Sequence, residues 1–215
     1  MQSRVASLIE APVFKPSIGE FSNFKSYIKK LEVIELKISF AKVSVFIIPP
    51  PEWSAKSKTI DDEYVIKTVL EQKCKKLLKG GYELSNEPME NMTFKDYKIK
   101  AVEEGHHLKT KSILEIEDTF WNTICKTRKT YSFENEFSLF GDDVVTWNLG
   151  RFTNAQSNIH AAPSQAERNR NLYEMPGIQK PYIYFGTPLS MFAFHIEDGN
   201  LNSINFLHDG EPKVW

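Results

Sequence analysis

Apolar side chains recur at Phe21, Phe24, Ile28 and Leu31 with polar residues between them, the spacing of one face of a helix. Just upstream, Ser17 and Glu20 stand at capping-box distance, so the hydroxyl can take a free backbone N–H and the carboxylate can reach back. "KISFAKVSVFII" is β-branched and aromatic and predicts a strand, stopped at "PPPEW", where three prolines remove donors and force an extended path. "SAKSKTIDDEYVIK" predicts a loop. "VLEQKCKKLLKGG" predicts a short helix closed by Gly80-Gly81. "ENMTFKDYKIKAVEEGH" and "SILEIEDTFWNTICKT" predict two further helices. Beyond Tyr131 the texture changes. "DVVTWNLGRF" sets aromatic anchors around a turn, and "TNAQSNIHAAPSQAERNRNLYEMPGIQK" is polar and predicts a helix followed by a loop. "PYIYFG", "MFAFHIE" and "LNSINFLH" then predict three strands, separated by the turn residues "TPLS" and "DGN".

Composition narrows the class. At 215 residues, 41% hydrophobic and 26% charged, the chain has the make-up of a soluble globular protein with one large domain or two small ones. A net charge of -1 provides no global field toward nucleic acid or membrane. The N-terminus has no long apolar core of a signal peptide, and "VSVFII" is too short to cross a bilayer. Cys74 and Cys125, the two cysteines, form no metal-binding pair and fit a reducing compartment. An intracellular, soluble protein is expected. His106-His107 and His160 read as surface polar residues, Lys73, Lys75, Lys76 and Lys79 as a solvated helix face, and Trp121 and Trp147 as core.

The candidate chemistry is at His195-Ile-Glu197. On a strand, residues two apart point to one face, the local geometry of a 2-His-1-carboxylate iron site. The pair alone is a weak signal, and an incidental pair on a half-buried strand has the same spelling. Asn205, an amide donor, and Lys213, a cation, follow, and both suit the carboxylates of an acidic cosubstrate.

"YIYFGTPLSMFAFHIEDGNLNSINFLHDGEPKVW" resembles the first part of the JmjC domain of Jumonji histone lysine demethylases. "APVFKPSIGEFSNFKSYIKKLE", "FAKV" and "PPPEW" are similar to the JmjN motif, "NMTFKDY" and "FWNTI" to the intervening segment, and "TWNLGRF" to the tryptophan-centred motif before the barrel. The resemblance covers most of the chain and is weakest over residues 54–90. It implies an α+β fold, with a JmjN helix and strand segment packed on a partial double-stranded β-helix, a cupin-like jelly roll with flanking helices. The implied blocks are 10–53 as JmjN, 54–130 as a helical, charged intervening segment, and 131–215 as the N-terminal part of JmjC. With no room between JmjN and JmjC for an inserted DNA-binding module, it implies the JmjN–JmjC branch that acts on trimethylated lysines of histone H3.

The same resemblance assigns roles. His195 and Glu197 match two of three iron(II) ligands. Lys213, Asn205 and Tyr131 match residues that hold 2-oxoglutarate, and Phe192 a nearby cosubstrate position. Gly177, Tyr182 and Tyr184 fall where the family lines its methyl-lysine pocket. The implied partners are a methylated histone H3 tail and chromatin, in the nucleus, with no membrane and no sequence-specific DNA binding. Strand alternation sets Phe192 opposite His195 unless a bulge or bend intervenes.

This chain also departs from the family. "YSFENEFSLF" stands where the family is glycine-rich, bringing Ser132, Phe133 and Glu134, and extra apolar residues precede "PPPEW". The family's second histidine ligand lies on a later barrel strand, whereas the histidine after Glu197 here, His208, matches a non-ligand position. The barrel is therefore expected to be cut off after its early strands. The alternatives to an oxygenase are a non-catalytic chromatin-binding pseudo-enzyme and a fragment.

Overall fold

The computed structural model describes residues 11–37, 44–149, 177, 181–193, 195–197 and 203–214, without the side chains of 32–37. Most of the polar stretch after Trp147, with His160, and residues 38–43 of the first expected strand lie outside the described residues. The fold is α+β. It forms two compact units, and residues 140–149 belong to the N-terminal one.

The first unit holds β1 (Val13–Phe14), α1 (Ile18–Phe21), α2 (Phe24–Lys37) and β2 (Phe46–Ile47), with β1 and β2 paired in parallel. The Ser17–Glu20 capping box is present, and both of its arms close. Phe21, Tyr27, Leu31 and Trp147 form the buried core, with Phe24, Ile28 and Trp53 against it. Trp147 stacks flat on Phe21 at 4.5 Å between ring centroids. Its indole N–H donates to the Phe21 carbonyl at 2.7 Å.

Glu20 gives this unit a pH-dependent contact. Its carboxylate accepts from the Lys30 ammonium at 2.6 Å and from the Ser17 N–H at 3.1 Å. Those bonds, Lys30 first, bring its pKa from 4.5 to about 2. A depressed carboxyl pKa contributes stability above the ordinary value that fades as pH falls. The contribution is therefore whole above 4.5 and lost on the way down to about 2. A carboxyl-carbon NMR titration should find the Glu20 midpoint near the lower value, and Lys30→Met should move it upward.

The second unit contains β3 (Val65–Ile66), β4 (Val69–Lys76), β5 (Tyr82–Pro88), β6 (Met92–Thr93), α3 (Phe94–Gly105), a 3-10 turn at His106–Leu108, α4 (Ile113–Thr123), β7 (Lys129–Asn135) and β8 (Ile183–Gly186). Its main sheet is antiparallel in the order β5-β4-β7-β8. Helices α3 and α4 match the two helices expected there, and "PYIYFG" does contain a strand. Thr93 caps α3 by accepting from the Asp96 N–H at 3.1 Å. Ile66, Val69, Tyr97 and Phe185 form the core.

Several expectations fail. "VLEQKCKKLLKGG" is a strand and its turn, because β5 on one side and β7 on the other supply ladders that outweigh the charged residues' weak strand preference. Gly80 and Gly81, at φ 85° and 84°, form the return of a hairpin, for which two successive left-handed residues suit a tight turn. The lysine cluster therefore lies on a strand and its turn, where Lys73 pairs with Glu87. "MFAFHIE" and "LNSINFLH" carry no strand over their described residues, since none of these has a ladder partner among the described strands. Trp121 is 52% exposed, edged against Tyr82 rather than in a core. No helix among the described residues is long and apolar enough to cross a membrane.

Candidate active site

Strand β7 places the first site residue. Tyr131 is buried and sits opposite Gly186 in the β7–β8 ladder. A bulge follows, since Ser132 pairs with Phe185 but Asn135 with Ile183, and Glu134 takes φ 61° within it. Asn135 bridges the irregularity, donating to Ser132 Oγ at 2.9 Å and to the Ile183 carbonyl at 3.1 Å. Tyr131 and Phe133 therefore share one face, with rings 6.3 Å apart.

The chain after β8 supplies the rest. Thr187 to Ser190 turns back, with the Ser190 N–H on the Thr187 carbonyl at 3.0 Å. At Met191 the amide side chain of Gln72 takes the place of a neighbouring strand. It donates to the Met191 carbonyl and accepts from the Met191 N–H, both at 2.8 Å. Phe192 follows, its ring 6.4 Å from Tyr131 and 6.3 Å from Tyr184. Because this run is not a strand, alternation does not govern it, and the Phe192 and His195 rings meet edge to face at 6.2 Å.

His195 and Glu197 face each other, Nε2 to Oε2, at 3.7 Å. The Ala193 carbonyl accepts from His195 Nδ1 at 2.8 Å, which puts the proton of a neutral ring on Nδ1 and leaves the Nε2 lone pair toward the carboxylate. A nitrogen and an oxygen donor side by side, with the imidazole oriented from behind, is a donor set that suits a first-row divalent metal. Among the described residues, no group of three His, Cys, Asp or Glu side chains is placed to hold a metal.

The Lys213 ammonium lies over the Phe192 ring at 4.3 Å and over the Tyr131 ring at 5.8 Å. The residue is exposed as a whole, and partial burial of its ammonium against the aromatic rings lowers its pKa. Burial first and Tyr184 second raise the pKa of Tyr131, which keeps its hydroxyl protonated and able to donate. Tyr184 is raised by burial and then by the charge of Glu197. Tyr182 is 6.5 Å from Tyr184. At Gly177 (φ 80°) a Cβ would lie 2.6 Å from the Tyr182 ring, so only glycine allows that approach.

The structure thus gathers Tyr131, Tyr184, Phe192, His195, Glu197 and Lys213, with Tyr182 and Gly177 at the edge. Asn205 is exposed and joins none of these contacts. His208 packs against Phe206, and burial lowers its pKa. Sequence reasoning missed Gln72, which sat in a segment taken for helix, and Glu104 of α3, whose role is tertiary.

Comparison with known proteins gives two findings. The profile of the family described as "JmjC domain, hydroxylase" matches residues 182–215. The chain is 31% identical over 205 residues to "Lysine-specific demethylase 4B" of Mus musculus, covering 94% of this chain and 18% of that protein. It is 28% identical over 207 residues to "Lysine-specific demethylase 4D" of Rattus norvegicus, covering 94% of this chain and 38% of that protein. The chain therefore spans well under half the length of these curated relatives.

Proposed function

The chain belongs to the Jumonji family, and from that premise we propose that it acts as an Fe(II)- and 2-oxoglutarate-dependent demethylase of trimethylated lysine on the histone H3 tail, working on chromatin in the nucleus. In this reading residues 10–53 serve as JmjN, 54–130 as the intervening segment, and 131–215 as the first part of a JmjC jelly roll. The observation that carries it is the facing pair His195 and Glu197, with the imidazole oriented through Nδ1, beside a lysine whose ammonium lies over an aromatic wall.

His195 Nε2 and a Glu197 oxygen would hold the iron. Bound Fe(II) supplies the oxidation that dioxygen and a 2-oxo acid make possible. The chain's own residues bind and orient. Lys213 pairs with the distal carboxylate of 2-oxoglutarate, and the neutral Tyr131 hydroxyl donates to the same group. Phe192 forms an apolar wall beside it. Tyr182, Tyr184 and the bare backbone at Gly177 take the methylammonium head by close packing and C–H···O contacts. Oxidation of one N-methyl group consumes one dioxygen and one 2-oxoglutarate. Succinate, carbon dioxide and formaldehyde leave, and the lysine loses one methyl.

With Fe(II), 2-oxoglutarate and a trimethyl-lysine H3 peptide, succinate and formaldehyde should appear in equal amounts. Succinate without peptide-dependent formaldehyde would remove methyl-lysine as the substrate. Absence of both would favour the second reading, a non-catalytic chromatin-binding protein. That reading draws on the two-ligand donor set among the described residues.

A further inference from the structure

We propose that Glu104 is a positioning residue for the dicarboxylate site, acting through Thr130 and Thr187 from the opposite face of the sheet. The claim about the dicarboxylate rests on the function proposed above; the claim about geometry does not.

Thr130 precedes Tyr131 on β7, so the two side chains leave opposite faces of the strand. Tyr131 faces Tyr184, Phe192 and Lys213, while Thr130 faces α3. From α3, Glu104 reaches it. The Thr130 hydroxyl donates to Glu104 Oε1 at 2.8 Å, and the Thr187 hydroxyl donates to Glu104 Oε2 at 2.6 Å. Each carboxylate oxygen thus takes a hydroxyl from a different chain segment. Both threonines are buried, at 2% and 3% exposure, and the Glu104 side chain is 16% exposed. The Thr187 N–H closes the bracket on the Thr130 carbonyl at 3.2 Å.

The two gripped segments carry the site. Thr130 is the neighbour of Tyr131. Thr187 begins the turn that leads through Ser190 to Met191 and Phe192. The carboxylate therefore works with direct ties between the tyrosine's strand and the loop whose ring lies under Lys213, where the Thr130 N–H donates to Thr187 Oγ1 at 3.2 Å and that hydroxyl also lies 2.8 Å from the Thr130 carbonyl. Hydrogen bonds to a charged, largely buried acceptor are strong and directional, which suits a spacer more than a surface contact does. Tyr97 of the same helix adds a second tie, donating to the Phe185 carbonyl at 2.6 Å.

The test uses the whole chain, with Tyr131 reported by carbon-13 labelling of tyrosine rings and assigned by Tyr131→Phe. Glu104→Ala and Thr187→Val should shift or broaden the Tyr131 ring signal. Thr187→Ser, which keeps the hydroxyl, should leave it in place. In the same samples, with Fe(II), the affinity for 2-oxoglutarate should fall about tenfold or more in the first two variants, the scale of one lost hydrogen bond to a charged group. In Thr187→Ser it should hold. An unmoved Tyr131 signal in both Glu104→Ala and Thr187→Val would overturn the proposal, as would equal effects from Thr187→Ser and Thr187→Val. If the parent chain binds no 2-oxoglutarate, the function reading falls, and the ring signal still decides whether Glu104 positions Tyr131.

Discussion

Replacing His195 with alanine is expected to weaken Fe(II) binding by at least about 100-fold and to abolish 2-oxoglutarate turnover. Loss of a group that merely orients a metal ligand already costs about 10–100-fold in affinity, and here the ligand itself goes. The side chain of His195 is 55% exposed, so the fold should be untouched and the far-ultraviolet spectrum unchanged. Titration with Fe(II) under anaerobic conditions reads the effect. His106→Ala, an exposed histidine outside the site, is the control. If His195→Ala binds iron as the parent does, the facing pair is not the metal site and the functional reading falls with it.

Replacing Trp147 with alanine is the largest stability effect expected, about 3–5 kcal/mol for removal of a buried tryptophan. The indole stacks on Phe21 at 4.5 Å, meets Phe24 edge to face at 4.6 Å and hydrogen-bonds the Phe21 carbonyl. The cavity left would open in the middle of the N-terminal unit's core. Trp121→Ala makes the contrast, because half of that ring is already in solvent. It should cost about 1 kcal/mol or less, since the half-exposed side chain meets only the rings of Tyr82 and Phe120 among the described contacts. Urea unfolding of both variants measures the difference, and equal losses would show that Trp147 does not anchor this core.

Those two tryptophans show what was legible. The apolar spacing at Phe24, Ile28 and Leu31 identified the face of α2, but the capping serine starts a separate four-residue helix, α1, so the single helix expected from Ser17 to Leu31 is two. Trp121 misled because a large aromatic on a helix looks like core until the neighbouring element proves to be a hairpin edge. The hairpin itself was hidden for a related reason. Val69, Leu70 and Cys74 sit among lysines, a glutamate and a glutamine that favour helix, and only ladders from both sides make the segment a strand. At the site, His195, Glu197 and Lys213 were readable as a motif, and the structure sets them beside Tyr131 and Phe192. Strand alternation, by contrast, put Phe192 on the wrong side, because it assumed an extended ladder that the segment does not have. Glu104 carried no local sign at all. A glutamate at the end of a charged helix reads as solvated, and its two threonine partners lie 26 and 83 residues away.

Gln72 holds Met191 with a side-chain amide at a point where a sheet would ordinarily use its own backbone. A backbone rung survives almost any codon change, but this one does not. The hold on the loop at Met191 is therefore written into the gene at a single position, where it can be tuned or erased by one substitution without touching a residue of the site. The hold on this loop and the facing His195–Glu197 pair can in this way drift apart among descendants of the chain, one loosening while the other stays intact.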